Sequence, residues 1–254
     1  VSIVSSAEST QTGIHIIFGA AGGIGTALCH RLAHAGHTVI AASRTPERLV
    51  GLGSLPNIHT AVADPGNPSS VDALLAKVVQ ERGRIDGVAN LAGAFLLKPA
   101  HLTSDEEFAQ QIQTNLVTAF NVLRSAVRHM GEGGGSIVLM SSVAATMGLA
   151  NHEAVAASKA GVEGLARSAA ATYASRRIRI NTVAPGLTRT PLTARLTANE
   201  ASLKASAAMH PLGRIGEPEE VASAIAWLLG SDAAWVTGQT IGVDGGLSKV
   251  RSRG

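Results

Sequence analysis

"FGAAGGIGTALCHRLAHAG", residues 18–36, is the stretch that decides the fold. The apolar run "IHIIF" (14–18) leads into it, and a segment of helical period, 23–36, leads out. Gly19, Gly23 and Gly25 fall between strand and helix. Without a Cβ the backbone turns tightly and approaches a bound group closely, and the N–H groups that open a helix favour negative charge. The spacing is G-x-x-x-G-x-G, with Ile24 between the last two glycines. Glycines also serve ordinary strand–helix turns. At the first such junction of a chain, they point to a cradle for the pyrophosphate of a dinucleotide.

Outward from this loop, short apolar runs alternate with helical segments. Strands are expected at 37–43, 58–64, 85–93, 134–142, 178–186 and 238–246, and helices at 69–83, 105–130, 152–175 and 217–231. Such alternation over the whole length predicts an α/β fold: a single-domain, Rossmann-type, doubly wound parallel β-sheet flanked by helices on both faces. The domain is expected at 13–248, with a flexible polar tail at 1–12 and a short tail at 249–254. The segment 187–212 is weakly patterned and reads as a lid over a pocket.

Composition narrows the function. With 45% hydrophobic and 15% charged residues, the chain suits a compact core. Aromatics are only 3%, too few for a base-stacking platform, and the residues behind the net charge of +3 are scattered, so nucleic acid is not an expected partner. The single cysteine, Cys29, excludes an intrachain disulfide and fits a reducing compartment. No apolar run is long enough to span a membrane, and "VSIVSSAESTQTG" lacks the features of a signal peptide, so a cytoplasmic location is expected. The nine histidines show no ligand spacing, so no metal is expected.

The second strand ends in Ser43 and Arg44. A carboxylate there would accept from the ribose hydroxyls of NAD, whereas a guanidinium clamps a 2′-phosphate. The expected cofactor is therefore NADP(H) rather than NAD(H).

Taken together, these and further motifs resemble the short-chain dehydrogenase/reductase family over about 14–247. "FGAAGGIG" is similar to its cofactor loop, with Phe18 where threonine is usual. Asp64 matches the aspartate that meets the adenine ring. "NLAG", Asn90 to Gly93, matches N-N-A-G. Asn115 falls at the active-site asparagine and Ser142 at the catalytic serine. Pro185, Gly186, Thr188 and Thr190 lie in the loop set against the nicotinamide. The resemblance implies hydride transfer between nicotinamide and a carbonyl/alcohol pair. Ser142 would orient the carbonyl, Lys159 would hold the nicotinamide ribose, and Asn115 would support a water relay.

The family's proton donor is a tyrosine four residues before the lysine. In "NHEAVAASKAG" (151–161) that position is Val155, which neither donates nor titrates. The only tyrosine, Tyr173, lies about 27 Å further along the helix axis if the segment is helical throughout. His152 shares a helical stripe with Val155 and Lys159 if the helix has begun there, and an imidazole titrates near neutrality. It is either a proton donor or a surface residue at a helix start, with a water on Ser142 and Asn115 as the other source. Three readings stay open: an NADP(H)-dependent carbonyl/alcohol oxidoreductase with an atypical donor, a catalytically weak NADP(H)-binding sensor or partner subunit, and a non-redox lyase or dehalogenase with a blocked loop. Phe95, Leu96, Met147, Leu149, Leu187 and Leu192 are candidate pocket walls and suit an apolar small-molecule substrate. Alanine-rich surfaces on the helices at 105–130 and 152–174, which pack across subunits in the resembling family, suit a homo-oligomer, a dimer or tetramer.

Overall fold

The computed structural model describes residues 12–251. The tail expected at 1–12 lies, apart from Thr12, outside the described residues, as do 252–254. Seven strands form one parallel sheet: β1 (Ile14–Phe18), β2 (Thr38–Ser43), β3 (Ile58–Val62), β4 (Gly87–Asn90), β5 (Gly135–Met140), β6 (Ile178–Pro185) and β7 (Thr240–Val243). Their order is β3-β2-β1-β4-β5-β6-β7. The chain winds outward from β1 through β2 to β3, then returns to the other side of β1 with β4. That reversal opens a crevice at the carboxyl ends of β1 and β4, where ligands bind in open parallel sheets.

Alternate side chains of the buried strands feed two cores. Phe18, Leu75, Val122, Leu139 and Val162 fill the face covered by α2 (Pro68–Arg82), α4 (Thr118–His129) and α5 (Glu153–Tyr173). Ile17, Leu28, Val138 and Ile225 fill the face under α1 (Gly23–His34) and α8 (Pro218–Leu229). Both faces are therefore dry, as expected when parallel strands read as nearly continuous aliphatic runs.

Three elements differ from expectation. The helix expected at 105–130 is α3 (Asp105–Ile112) and α4, joined by a π-helical turn at Gln113–Val117. Such a turn inserts a residue into the helix and re-aims the side chains around it, and it is common at functional sites. The helix expected from residue 152 begins at Glu153, with His152 as its N-cap. The weakly patterned segment expected as a lid, 187–212, holds two helices, α6 (Ala194–Thr197) and α7 (Glu200–Met209). No helix among the described residues is long and apolar enough to cross a membrane.

Candidate active site

A cavity of about 1060 Å³ opens over the crevice between the sheet ends and the lid. Its floor begins at the glycine loop. Gly19 has φ +75, in the left-handed region, and a Cβ on Gly25 would lie 2.3 Å from the Gly19 carbonyl oxygen. Only glycine lets α1 start this close to β1. The N-cap of α1 is Gly22, with no side-chain cap and no acidic residue in the first turn. Its leading N–H groups thus face the cavity as a ready anion site. Phe18 is fully buried in the core beneath the loop and does not line the cavity. The obstruction that a non-redox scaffold would need is not built by this residue.

Gly19, Gly23, Ile24 and Gly25 line one end, with Ser43, Arg44 and Asp64. Arg48, which was not expected from sequence, lines it too, and its Nη2 donates to the Ala21 carbonyl at 3.4 Å. The signal was its nearness to Arg44 in "SRTPER", but a one-turn 3-10 helix at Pro46–Leu49 is needed to swing it back over the loop. Asp64 Oδ1 accepts from the Gly66 N–H at 2.8 Å, which fixes the carboxylate in its turn.

At the other end stand Gly93, Ser142, His152, Val155, Lys159, Pro185, Gly186 and Thr188, while Thr190 packs against Gly23 of the glycine loop, its Cγ2 3.2 Å from where a Cβ on that glycine would lie. Ser142 Oγ accepts from the Ala144 N–H at 3.2 Å, which leaves its own O–H outside that bond. Lys159 Nζ donates to the Met140 carbonyl at 2.8 Å. Burial pushes its ammonium down to about 8, because the charged form loses hydration. Val155 is buried one turn before Lys159 and presents hydrocarbon to the cavity.

His152 does not share the helical stripe proposed for it, because it precedes the helix. Asn151, with φ +63, turns the chain in the left-handed conformation that asparagine tolerates best after glycine. The His152 ring then packs edge-on against Phe95, centroids 5.6 Å apart. Its Nδ1 lies 2.8 Å from the Ala150 carbonyl, which only accepts, so Nδ1 carries hydrogen and Nε2 is the atom left to meet a substrate.

Two expected site residues lie one layer beneath the wall. Asn90 is buried, with Nδ2 donating to Thr118 Oγ1 at 3.2 Å and Oδ1 accepting from the Ala92 N–H at 3.3 Å. Asn115, in the π turn, accepts from the Ala94 N–H at 3.0 Å and donates toward the Ala94 carbonyl, Gln111 and Ser158. Neither lines the cavity. Their side chains hold the backbone of the 92–94 segment in place. Of the apolar walls expected, Phe95, Leu149, Leu187 and Leu192 line the cavity, whereas Leu96 and Met147 do not. Leu97, Leu196 and Met209 take their place. Cys29 is buried and its thiol is pushed up to about 12 by burial, which fits packing rather than chemistry.

A glycine loop at a switch point, with a serine and a buried lysine at the far end of one cleft, defines a Rossmann-type oxidoreductase architecture. Residues 19–248 match the family described as Enoyl-(Acyl carrier protein) reductase. The chain is 39% identical over 240 residues to the 3-oxoacyl-[acyl-carrier-protein] reductase FabG of Thermotoga maritima, covering 91% of this chain and 96% of the relative. A short-chain type dehydrogenase/reductase from Mycobacterium ulcerans superposes with TM-score 0.90 at 32% identity, covering 96% of this chain and 92% of that one. The structure described as ElxO with NADP bound superposes with TM-score 0.87 at 28% identity, over 93% of this chain and 99% of that one. The chain belongs to the short-chain dehydrogenase/reductase family of oxidoreductases.

Proposed function

We propose that the protein is an NADP(H)-dependent oxidoreductase that interconverts a small, apolar carbonyl compound and its alcohol, with its proton supplied by a group other than tyrosine. The observation that carries this reading is one cleft lined at one end by an uncapped glycine-loop helix and two arginines, and at the other by Ser142 and Lys159. The cradle fits a dinucleotide: its glycines leave room for backbone approach, and the leading N–H groups of α1 are free of side-chain caps. Arg44 and Arg48 are exposed at the rim where a 2′-phosphate would sit, and one structural neighbour is described with NADP bound.

A bound nicotinamide supplies or accepts the hydride. The Ser142 hydroxyl donates to the carbonyl oxygen and stabilises charge developing there. Lys159, held by the Met140 carbonyl, presents its remaining N–H donors to ribose hydroxyls. Phe95, Leu149 and the lid residues Leu192 and Met209 exclude water from an apolar substrate. His152 supplies the proton from Nε2, which requires the imidazolium form, since Nδ1 is already engaged at Ala150. A water on Ser142 is the competing source. The proposal includes a homo-oligomer. Phe108 and Phe120 are exposed on α3 and α4, and Trp235 is fully exposed before β7, surfaces suited to subunit contact and checked by light scattering.

The test is NADPH oxidation against aldehydes, ketones and quinones, with the unchanged chain beside Val155→Tyr and His152→Ala. Turnover by the unchanged chain that drops about 10²-fold in His152→Ala supports the histidine donor. Turnover that His152→Ala leaves untouched moves the role to water. Absence of turnover together with undetectable NADPH binding overturns the reading.

A further inference from the structure

From Arg189 to Met209 no side chain is buried. The lid is a flap between two buried residues, Thr188 and His210, exposed to 4% and 3%. Its inner side chains are apolar and lightly covered: Leu192 is 58% and Met209 48% exposed, and both line the cavity. A flap with so little packing is positioned by its anchors rather than by its own core.

The Thr188 anchor is backbone-built. Thr188 bridges to Gly216, the Gly216 N–H donates to the Leu187 carbonyl at 2.9 Å, and the Arg189 N–H donates to the Gly216 carbonyl at 2.9 Å. The His210 anchor is a side chain. Its Nδ1 lies 2.7 Å from the Ser206 carbonyl in the last turns of α7, and its Nε2 lies 3.2 Å from the Leu187 nitrogen. A carbonyl only accepts and a backbone N–H only donates, so both ring atoms have fixed roles: Nδ1–H donates to the lid helix, and Nε2 accepts from Leu187. The imidazole also fills the space above Gly186, where a Cβ would stand 2.6 Å from Nε2. One ring thus links the end of the lid to the Pro185–Gly186–Leu187 turn that lines the end of the cleft holding Ser142 and Lys159.

We infer that His210 is a positioning residue that couples the lid to this turn, setting the Leu187 backbone and the lid's resting place together through its two ring nitrogens. It touches no reacting atom in this role. Its consequence for catalysis rests on the reading of the cleft as a nicotinamide site, but the coupling itself does not. A lid that moved independently would leave the turn unchanged. A coupled one transmits each displacement of α7 to the surface against which the substrate end of the cleft is built.

Two substitutions of similar bulk separate the bond from the packing. His210→Asn keeps a donor near the Nδ1 position and falls short of Leu187. His210→Gln carries an amide oxygen out toward the Nε2 position, where it accepts from the Leu187 N–H. Hydrogen exchange on the cofactor-free protein reads the Leu187 amide, with the Val138 amide in β5 as an internal reference for global stability. Expected is exchange at Leu187 faster by about tenfold in the Asn variant, the worth of one hydrogen bond, with Val138 unchanged and recovery in the Gln variant. Tryptic cleavage within the lid, at Arg195 or Lys204, accelerates in the same order. Equal Leu187 protection in the Asn variant and the unchanged chain overturns the inference. So does a Gln variant indistinguishable from Asn, because packing alone would then account for the position. Titration with NADPH is a separate arm that decides the nicotinamide reading and leaves the amide result standing.

Discussion

The two ends of the cleft are built differently. The end proposed for the nucleotide has a floor of backbone, glycines at close approaches and a helix start without a side-chain cap, with the Arg44 and Arg48 side chains only at its rim. The reacting end is made of side chains on separate elements, Ser142 after β5, Lys159 on α5 and His152 before it, under a flap whose side chains are nowhere buried between its anchors. Backbone geometry tolerates no substitution but also specifies no reaction. Side chains can be exchanged one at a time, and at Val155 this wall presents hydrocarbon one turn before Lys159. The contrast predicts that the ends respond to mutation independently.

The largest expected effect tests the reacting end. Val155→Tyr restores a phenol one turn from Lys159 and raises turnover by about 10²–10⁴-fold, while NADPH affinity measured by fluorescence stays within about threefold. A tyrosine variant that gains no rate but loses affinity would break the comparison, since the ends would then not be separable. Next comes Gly25→Val at the nucleotide end. Its Cβ would overlap the Gly19 oxygen at 2.3 Å, so the loop must move, and NADPH affinity falls about 10²-fold. The melting temperature of the cofactor-free protein reports how much of that loss is folding. Arg44→Ala is smaller and sharper. NADPH binding weakens about 10–50-fold by calorimetry while NADH binding changes little, because only the 2′-phosphate loses a charge-assisted bond.

The smallest effect is on stability. Burial holds the folded-state Lys159 ammonium at about 8 against an ordinary 10.5, so the unfolded chain binds that proton more tightly. The penalty on the folded state is fully present below pH about 8 and fades as pH rises from about 8 to about 10.5. Its upper bound is about 3 kcal/mol. Lys159→Met removes it and also leaves the Met140 carbonyl without its partner, which costs about 1–3 kcal/mol. A net gain of about 1 kcal/mol is expected in chemical denaturation at pH 7, reversing to a net loss of about 1–2 kcal/mol at pH 10.5, where only the missing hydrogen bond counts, alongside loss of NADPH binding. A lysine that stabilises the free protein would show that this buried charge is already compensated without cofactor.

Much of this was legible along the chain, for a local reason. Strand and helix periods, the glycine loop, Arg44, Ser142, Lys159 and the absent tyrosine are all read within one or two turns of neighbouring residues. Their order alone implies a doubly wound sheet, because strands alternating with helices have few other ways to bury both faces. Arg48 and His210 were not legible, since each acts on a loop far from it in sequence and only chain packing brings them together.

Sequence by itself thus determined the sheet, the glycine loop at its first turn and the valine four residues before Lys159, all properties of short stretches and their order. Only the tertiary structure decided that Asn115 lies in a π turn below the wall, that His152 stands before the helix with Nδ1 on the Ala150 carbonyl, and that Lys159 is buried against the Met140 carbonyl. Helical period tells which residues share a face. It does not tell where a helix starts, where an extra residue shifts its phase, or which distant carbonyl the folded chain sets against a side chain.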